Sequence, residues 1–386
     1  MSGIEQLLSS REVAVFAGSG GVGKTTTAAA TALLVATHLG GKVLVVTVDP
    51  ARRLANAMGL QSFGNVETRV PDEAFVEAGV RPRGELWAAM LDTKASWDDL
   101  IRNHSPDAET RDRILSNPLY ANISGRFIQS HDYIAMERLH EIHSSGRYDL
   151  VIVDTPPTRN AIDFLEAPER MADFFSSRLL RLLTAPARSR LLTMASRPFY
   201  EVADRILGSQ FLGDIAEFFS LFQSMEAGFV ERARAVERVL TDRRTTFAVV
   251  TTLEAAPVAE AEFFIDALTR SNHHVGAVVL NRTLPTYLRD ESTAPAADEL
   301  RERADGIAEA LFDDPSTAKV AARVLREVGS NYRNLELVAR REAEHRRRIE
   351  RDAELVAEVP WFAEDITDLG GLARLGERLR ASTSAP

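Results

Sequence analysis

The chain has 386 residues, a formal net charge of −10 and 45% hydrophobic residues, enough for a large core in one or two domains. The acidic balance argues against non-specific binding to nucleic acid or anionic lipid, and the absence of cysteine excludes disulfides, thiolate zinc sites, iron–sulfur clusters and cysteine nucleophiles. No charged-then-apolar leader opens the chain and no run approaches the roughly 18 apolar residues of a membrane span, so a cytoplasmic location is expected.

Residues 1–10 are a short lead-in with some helical character. Val13-Ala14-Val15-Phe16-Ala17 is a short apolar, β-leaning run. It leads into Gly18-Ser19-Gly20-Gly21-Val22-Gly23-Lys24-Thr25, which fits G-x-x-x-x-G-K-[ST], the phosphate-binding loop of nucleotide hydrolases. Thr26 to Leu39 then reads as a helix stopped by Gly40-Gly41. A glycine-rich loop between a strand and a helix N-terminus offers free backbone N–H groups and the positive end of a helix dipole to phosphate oxygens. In such a loop Lys24 reaches the β- and γ-phosphates of ATP or ADP, and Thr25 ligates Mg²⁺.

Lys42 to Val48 is a continuous apolar, β-branched run, as expected of a buried parallel strand. It ends in Asp49-Pro50-Ala51-Arg52-Arg53. Open α/β sheets bind ligands at the carboxyl ends of their strands, so Asp49 is a candidate catalytic carboxylate; Asp-Pro is equally a turn signal. Leu86 to Leu91 predicts another strand, and residues 93–146 are polar and helical in pattern. Leu150-Val151-Ile152-Val153-Asp154 has the form of a Walker B strand, four apolar residues with an acid at the tip. Asp154 is placed next to Mg²⁺, directly or through water. Thr155-Pro156-Pro157-Thr158 cannot continue as a helix and forms a loop whose order would depend on the γ-phosphate.

Eight of the eighteen phenylalanines fall in residues 166–240: Phe174, Phe175, Phe199, Phe211, Phe218, Phe219, Phe222 and Phe229. The helices there have wide apolar faces that must bury against something. Two readings stand: the core of a helical lobe or dimer interface, and a groove for an apolar client or membrane surface. Sheet architecture resumes at Thr245–Thr251. A helix is predicted near Pro257–Arg270, and a strand at Val275–Leu280 closes on Asn281-Arg282. Asn281 suits either an adenine edge or a turn. Residues 286–350 are polar and mostly helical; His345-Arg346-Arg347-Arg348, with Glu342, Glu344 and Glu350 nearby, reads as a solvated helix face rather than a nucleic-acid patch. Val356–Pro360 is a last strand, and Leu372, Leu375 and Leu379 line one face of a terminal helix expected to lie on the domain.

Strands and helices alternate as in a doubly wound α/β fold with a mainly parallel sheet. No internal repeat and no Gly/Ser linker divides the chain. Residues 1–386 therefore read as a single P-loop domain, with a helical lobe built from insertions at about 93–146 and 166–240.

Taken together, these segments resemble the ArsA-type ATPases, the family of the arsenical-pump ATPase and of the ATPase that targets tail-anchored membrane proteins. Gly20-Gly21-Val22-Gly23-Lys24-Thr25-Thr26 resembles the deviant Walker A loop of the MinD/ParA/ArsA group. Val48-Asp49-Pro50-Ala51 resembles the family's first switch segment, and Asp154-Thr155-Pro156-Pro157-Thr158 its second. Val279-Leu280-Asn281-Arg282-Thr283-Leu284-Pro285 resembles its V-N-R-x-L-P segment, and Val359-Pro360-Trp361-Phe362 the segment near the adenine. The resemblance implies that Asp49 orients or deprotonates the attacking water, that Asp154 acts with Mg²⁺, and that Asn281 and Pro360 lie against the adenine.

The departures matter too. Ser19 stands where the group has a lysine that crosses a dimer interface. This implies either a heterodimer with a paralogue that keeps the lysine, or a slow homodimer in which Arg52 or Arg53 substitutes. Without cysteine, neither arsenite activation by thiolates nor a zinc-bridged dimer is expected. Arg159-Asn160 departs from the family's Gly-His. The function implied is ATP hydrolysis driving a conformational switch that handles an apolar client or a membrane component, with a peripheral membrane location compatible. The alternatives are the soluble ATPase subunit of an anion-export system and, less in keeping with the acidic chain, a MinD/ParA-like positioning ATPase. No N-K-x-D guanine motif follows the late strands, which argues against a GTPase.

Overall fold

The computed structural model of the chain describes residues 1–48, 53–60, 64–120, 128–157, 162, 165–167, 169–170, 173, 217–290, 293–350 and 353–382. The strands are β1 (Val13–Ala17), β2 (Lys42–Thr47), β3 (Thr68–Arg69), β4 (Glu85–Met90), β5 (Leu150–Asp154), β6 (Thr245–Thr251), β7 (Val275–Thr283) and β8 (Val356–Pro360). The helices of the first half are α1 (Gly3–Leu8), α2 (Lys24–His38), α3 (Arg53–Ala57), α4 (Asp72–Glu77), α5 (Thr93–His104), α6 (Ala108–Ser116) and α7 (Ile128–Ser144). Those of the second half are α8 (Glu226–Thr241), α9 (Ala255–Arg270), α10 (Ala294–Glu302), α11 (Ala304–Leu311), α12 (Pro315–Ile349) and α13 (Leu369–Ser382).

One eight-stranded sheet runs in the order β3-β4-β2-β5-β1-β6-β7-β8. All its pairings are parallel except β3 with β4. This is the expected α/β fold, with a short antiparallel edge that the sequence did not announce. The central strands β1, β5 and β6 are buried along their whole length because both faces of the sheet are covered. The alternation shows in β1: Ala14 and Phe16 join a core with α1, α2 and α13, while Val13, Val15 and Ala17 join a second core with α7, α8 and α9. In the first core Leu372, Leu375 and Leu379 are all buried.

A third cluster lies among the helices. Trp97 and Ile101 of α5, Tyr133 of α7, Phe218, Phe222 and Met225, and Phe229 of α8 are buried together. Phe222 and Phe229 stack with centroids 6.0 Å apart, and Tyr133 lies 5.8 Å from Phe229. The described part of the phenylalanine-rich stretch is therefore core; Phe174, Phe175, Phe199 and Phe211 lie outside the described residues. Helices α10 and α11 fold back on α12, a 35-residue helix capped by Asp314, whose side chain accepts from the Thr317 N–H. Within the basic run at its C-terminus, Arg346 pairs with Glu350 and Glu358, and Arg348 with Glu262. That run is tied to the domain rather than simply solvated.

Candidate active site

The phosphate loop spans residues 18–23, between the end of β1 and the start of α2. Gly21 (φ 81°) and Gly23 (φ 90°) lie in the left-handed region, which costs glycine little and other residues more. Gly23 is the N-cap of α2, and no side chain caps the helix. The first-turn N–H groups are thus left for a ligand. Val22 is buried in the first core, which fixes the middle of the loop, and Lys24 is 9% exposed. The Ser19 hydroxyl is buried and meets no hydrogen-bond partner among the described residues. A buried hydroxyl without a partner among those residues, in the loop that precedes an uncapped helix N-terminus, suits a ligand rich in acceptors.

Asp154 closes β5 and is fully buried. Parallel pairing sets it beside Phe16 of β1 and Thr47 of β2. Its Oδ2 accepts from the Thr25 hydroxyl at 2.7 Å and from the Thr47 hydroxyl at 2.9 Å. Register thus brings three oxygen-bearing side chains from two strands and the phosphate-loop helix to one point. Among the described residues there is no cluster of three or more His, Cys, Asp or Glu able to hold a metal. A site with one carboxylate and a hydroxyl fits Mg²⁺, which keeps waters and takes its other ligands from phosphate. Thr155 then ties the chain to the end of β1: its N–H and hydroxyl both donate to the Phe16 carbonyl, at 3.1 and 3.0 Å. The Val48 N–H donates to the Asp154 carbonyl at 3.2 Å, so the segment leading to Asp49 departs from beside Asp154. Asp49, Pro50, Ala51 and Arg52, and Thr158, Arg159 and Asn160, lie outside the described residues.

On the other flank, β7 slips its register against β8 between Asn281 and Thr283. Arg282 there has φ 57°, unusual for a residue with a side chain. The Asn281 amide donates to the Val22 carbonyl at 2.7 Å and accepts from the Arg282 N–H at 2.9 Å. The side chain expected against adenine is thus engaged with the phosphate loop. Pro360 ends β8 opposite Thr283, and the Arg282 guanidinium lies 6.0 Å from the centre of the exposed Trp361 ring. The structure brings Gly20 to Thr26, Asp154 and Asn281 together. The sequence reading missed Thr47, whose only signal was a hydroxyl closing an otherwise apolar strand next to Asp154.

The family model of the anion-transporting ATPases, the ArsA ATPases, matches residues 11–328. The chain belongs to this family. It is an ATP-hydrolysing enzyme of the P-loop class. Among curated proteins it is 26% identical to an ATPase ASNA1 homolog of Entamoeba dispar over 278 residues, 69% of this chain and 75% of that protein. It is 27% identical to ATPase get3 of Aspergillus niger over 270 residues, 69% of this chain and 71% of that protein. An uncharacterized protein of Streptomyces coelicolor shares 29% over 276 residues, 69% of this chain and 61% of that protein.

This ArsA-family chain carries a second concentration of polar groups, away from the phosphate loop. A cavity of about 440 Å³ is lined by residues including His104, Glu137, His140 and Arg232. The Tyr133 hydroxyl donates to Glu137 at 2.6 Å, and Arg232 pairs with the same carboxylate. Burial pushes the Glu137 carboxyl up, while Arg232 and Tyr133 pull it back. Burial also lowers both His104 and His140, and Arg232 nearby adds to each. Both imidazoles are therefore held toward the neutral form.

Proposed function

We propose that the chain hydrolyses ATP to ADP and phosphate in order to switch the conformation of a two-subunit assembly. The observation that carries this reading is the convergence of Thr25, Thr47 and Asp154 beside an uncapped helix N-terminus. In this reading the backbone amides of residues 20–26 bind the β- and γ-phosphates, and Lys24 neutralises the oxygens between them. Thr25 and Asp154 would hold Mg²⁺, directly or through water, and the ion would supply neutralising charge to the phosphates. Asp49 orients the water whose oxygen attacks the γ-phosphorus and accepts its proton, while the bond to the β-phosphate oxygen breaks. The chain contributes positioning and charge rather than covalent chemistry.

Residues 155–157 leave Asp154 directly, so loss of the γ-phosphate would be felt in the segment that follows, on the way to the phenylalanine-rich stretch. We read the chain as one P-loop domain with a helical lobe, and the lobe as the part that handles an apolar client or membrane component. Ser19, where the deviant loop has a lysine, favours a partner subunit that keeps the lysine. No helix among the described residues is long and apolar enough to cross a membrane, in keeping with peripheral action from the cytoplasm.

The test is subunit mass by light scattering with ADP and with ATP–Mg²⁺, alongside the ATPase rate. A two-subunit mass with steady turnover means that the homodimer is complete. A monomer with a near-silent ATPase means that a paralogue is missing. No binding of nucleotide at all refutes the reading. The family's description as anion-transporting favours a second reading, the ATPase subunit of an anion-export system. It requires oxyanions to stimulate turnover, and flat rates across an oxyanion series rule it out.

A further inference from the structure

The Val22–Gly23 peptide leads into Gly23, the N-cap of α2. A trans peptide is planar, so its carbonyl and its N–H point to opposite sides. Whatever holds the Val22 carbonyl therefore also aims the Gly23 N–H. Here the holder is Asn281, whose Nδ2 donates to the Val22 oxygen at 2.7 Å.

Three features fix this contact. The Asn281 side chain is pinned at its other end, because its Oδ1 accepts from the Arg282 N–H at 2.9 Å. The pair of bonds sets which end of the amide is the donor, since the reverse orientation would set oxygen against oxygen. The backbone is shaped to deliver the amide: β7 slips register at Asn281/Thr283, and Arg282 takes φ 57°. Such irregularities at a strand end re-aim side chains. The loop is shaped to receive it as well. Gly23 sits at φ 90°, and a Cβ there would overlap the Asn281 amide nitrogen.

We infer that Asn281 is a positioning residue for the phosphate loop: by holding the Val22 carbonyl it turns the Gly23 N–H toward the bound phosphates. This rests on the nucleotide reading above but differs from a base contact. An amide that reads adenine acts only on ligands that carry a base. An amide that sets the loop acts on any polyphosphate.

The experiment compares full-length wild type, Asn281→Ala and Asn281→Asp, which keeps the size and the acceptor but loses the donor. Titration calorimetry is run with Mg²⁺–ATP, Mg²⁺–GTP and Mg²⁺–tripolyphosphate, which has neither base nor ribose. Both variants are expected to bind tripolyphosphate and ATP about tenfold more weakly, the size of one hydrogen bond to a charged group, with the ATP-to-GTP ratio unchanged. Hydrogen exchange on the ligand-free proteins is the second measurement. Residues 18–24 should exchange faster in both variants, while β1 and β5 keep wild-type protection. If ATP affinity falls but tripolyphosphate affinity does not, Asn281 reads the base and the inference is overturned. Unchanged exchange in the loop overturns it too. Should the wild type bind none of the three ligands, the nucleotide reading fails and the phosphate-directing role fails with it. Loop exchange then says only whether the brace exists.

Discussion

The carboxyl edge of the sheet and the helical layer of α5, α7 and α8 both bury polar side chains, but they connect them differently. At the sheet edge the bonds cross the chain: Thr25 reaches Asp154, Thr47 reaches Asp154, and Asn281 reaches the carbonyl of Val22. In the helical layer the buried bonds are between neighbours in a packed cluster. Tyr133 bonds Glu137 one turn along the same helix, and Arg232 of the adjoining helix closes the group. The sheet edge is an arrangement imposed by strand register, whose bonds hold atoms where a ligand would meet them. The layer is a packing unit whose bonds satisfy groups that folding has buried. Substitutions should therefore separate: function before stability at the edge, stability before function in the layer.

The largest effect expected is in the layer. Phe229 is fully buried among Trp97, Tyr133 and Phe222. Phe229→Ala should cost about 3–5 kcal/mol, read as a lowered urea midpoint. The ATP dissociation constant of the folded variant should stay within about twofold of wild type, well under the tenfold that 1.4 kcal/mol would bring. A variant that keeps its stability but loses ATP would break the contrast.

The opposite pattern is expected of Asp154→Asn. It keeps the shape but removes the charge that would hold Mg²⁺. Turnover should fall about 100-fold or more, equivalent to roughly 2.7 kcal/mol of transition-state stabilisation. The thermal upshift given by ATP–Mg²⁺ should shrink to that given by ATP alone. Wild-type turnover in this variant would remove Asp154 from the mechanism.

Tyr133→Phe sharpens the comparison, because it deletes a hydrogen bond without leaving a cavity. Glu137 keeps Arg232 but loses the 2.6 Å bond, at a cost of about 1–2 kcal/mol. The ATPase rate of the folded protein should not move. A rate change with unaltered stability would mean that the layer reports directly to the nucleotide site.

The same difference explains what could be read in the sequence. β1, β2 and β5 were legible because each is built on an apolar run with a glycine or an acid at or just beyond its end, and β6 and β8 because β-branched residues recur in them. β3 was not, since Thr68-Arg69 is two residues long with no apolar pattern. The phosphate loop was legible because its residues act at fixed spacing along the chain. Thr47 and the Asn281 brace were not. Their roles come from register between strands far apart in sequence, and from a backbone slip that no residue type encodes. In α12, within the stretch read as polar and mostly helical, Gly329 sits inside one continuous helix. Glycine is there because a Cβ would come within 2.5 Å of the Ala297 carbonyl, where α10 crosses closely.

The smallest effect expected is a response to acid, and it too should divide the regions. His104 and His140 line one cavity in the layer, and both are held below the ordinary imidazole value of 6.5, first by burial. The groups facing them are mainly cationic: Arg232 acts on both, and His143 and Arg238 on His140, with Glu141 opposing at His104. A histidine whose folded value is depressed contributes stability that is fully present above 6.5 and is lost as pH falls through the folded value, because the unfolded chain takes up the proton first. His273, also lowered by burial, lies in the sheet half beside Phe247 and supplies one such group there against two in the layer. The urea midpoint of the wild type should therefore fall as pH drops below 6.5. A His104→Gln/His140→Gln variant should fall less steeply, and His273→Gln should recover a smaller part of the slope. Parallel curves for wild type and the double variant would place the acid sensitivity outside the layer and leave the contrast resting on the substitutions alone.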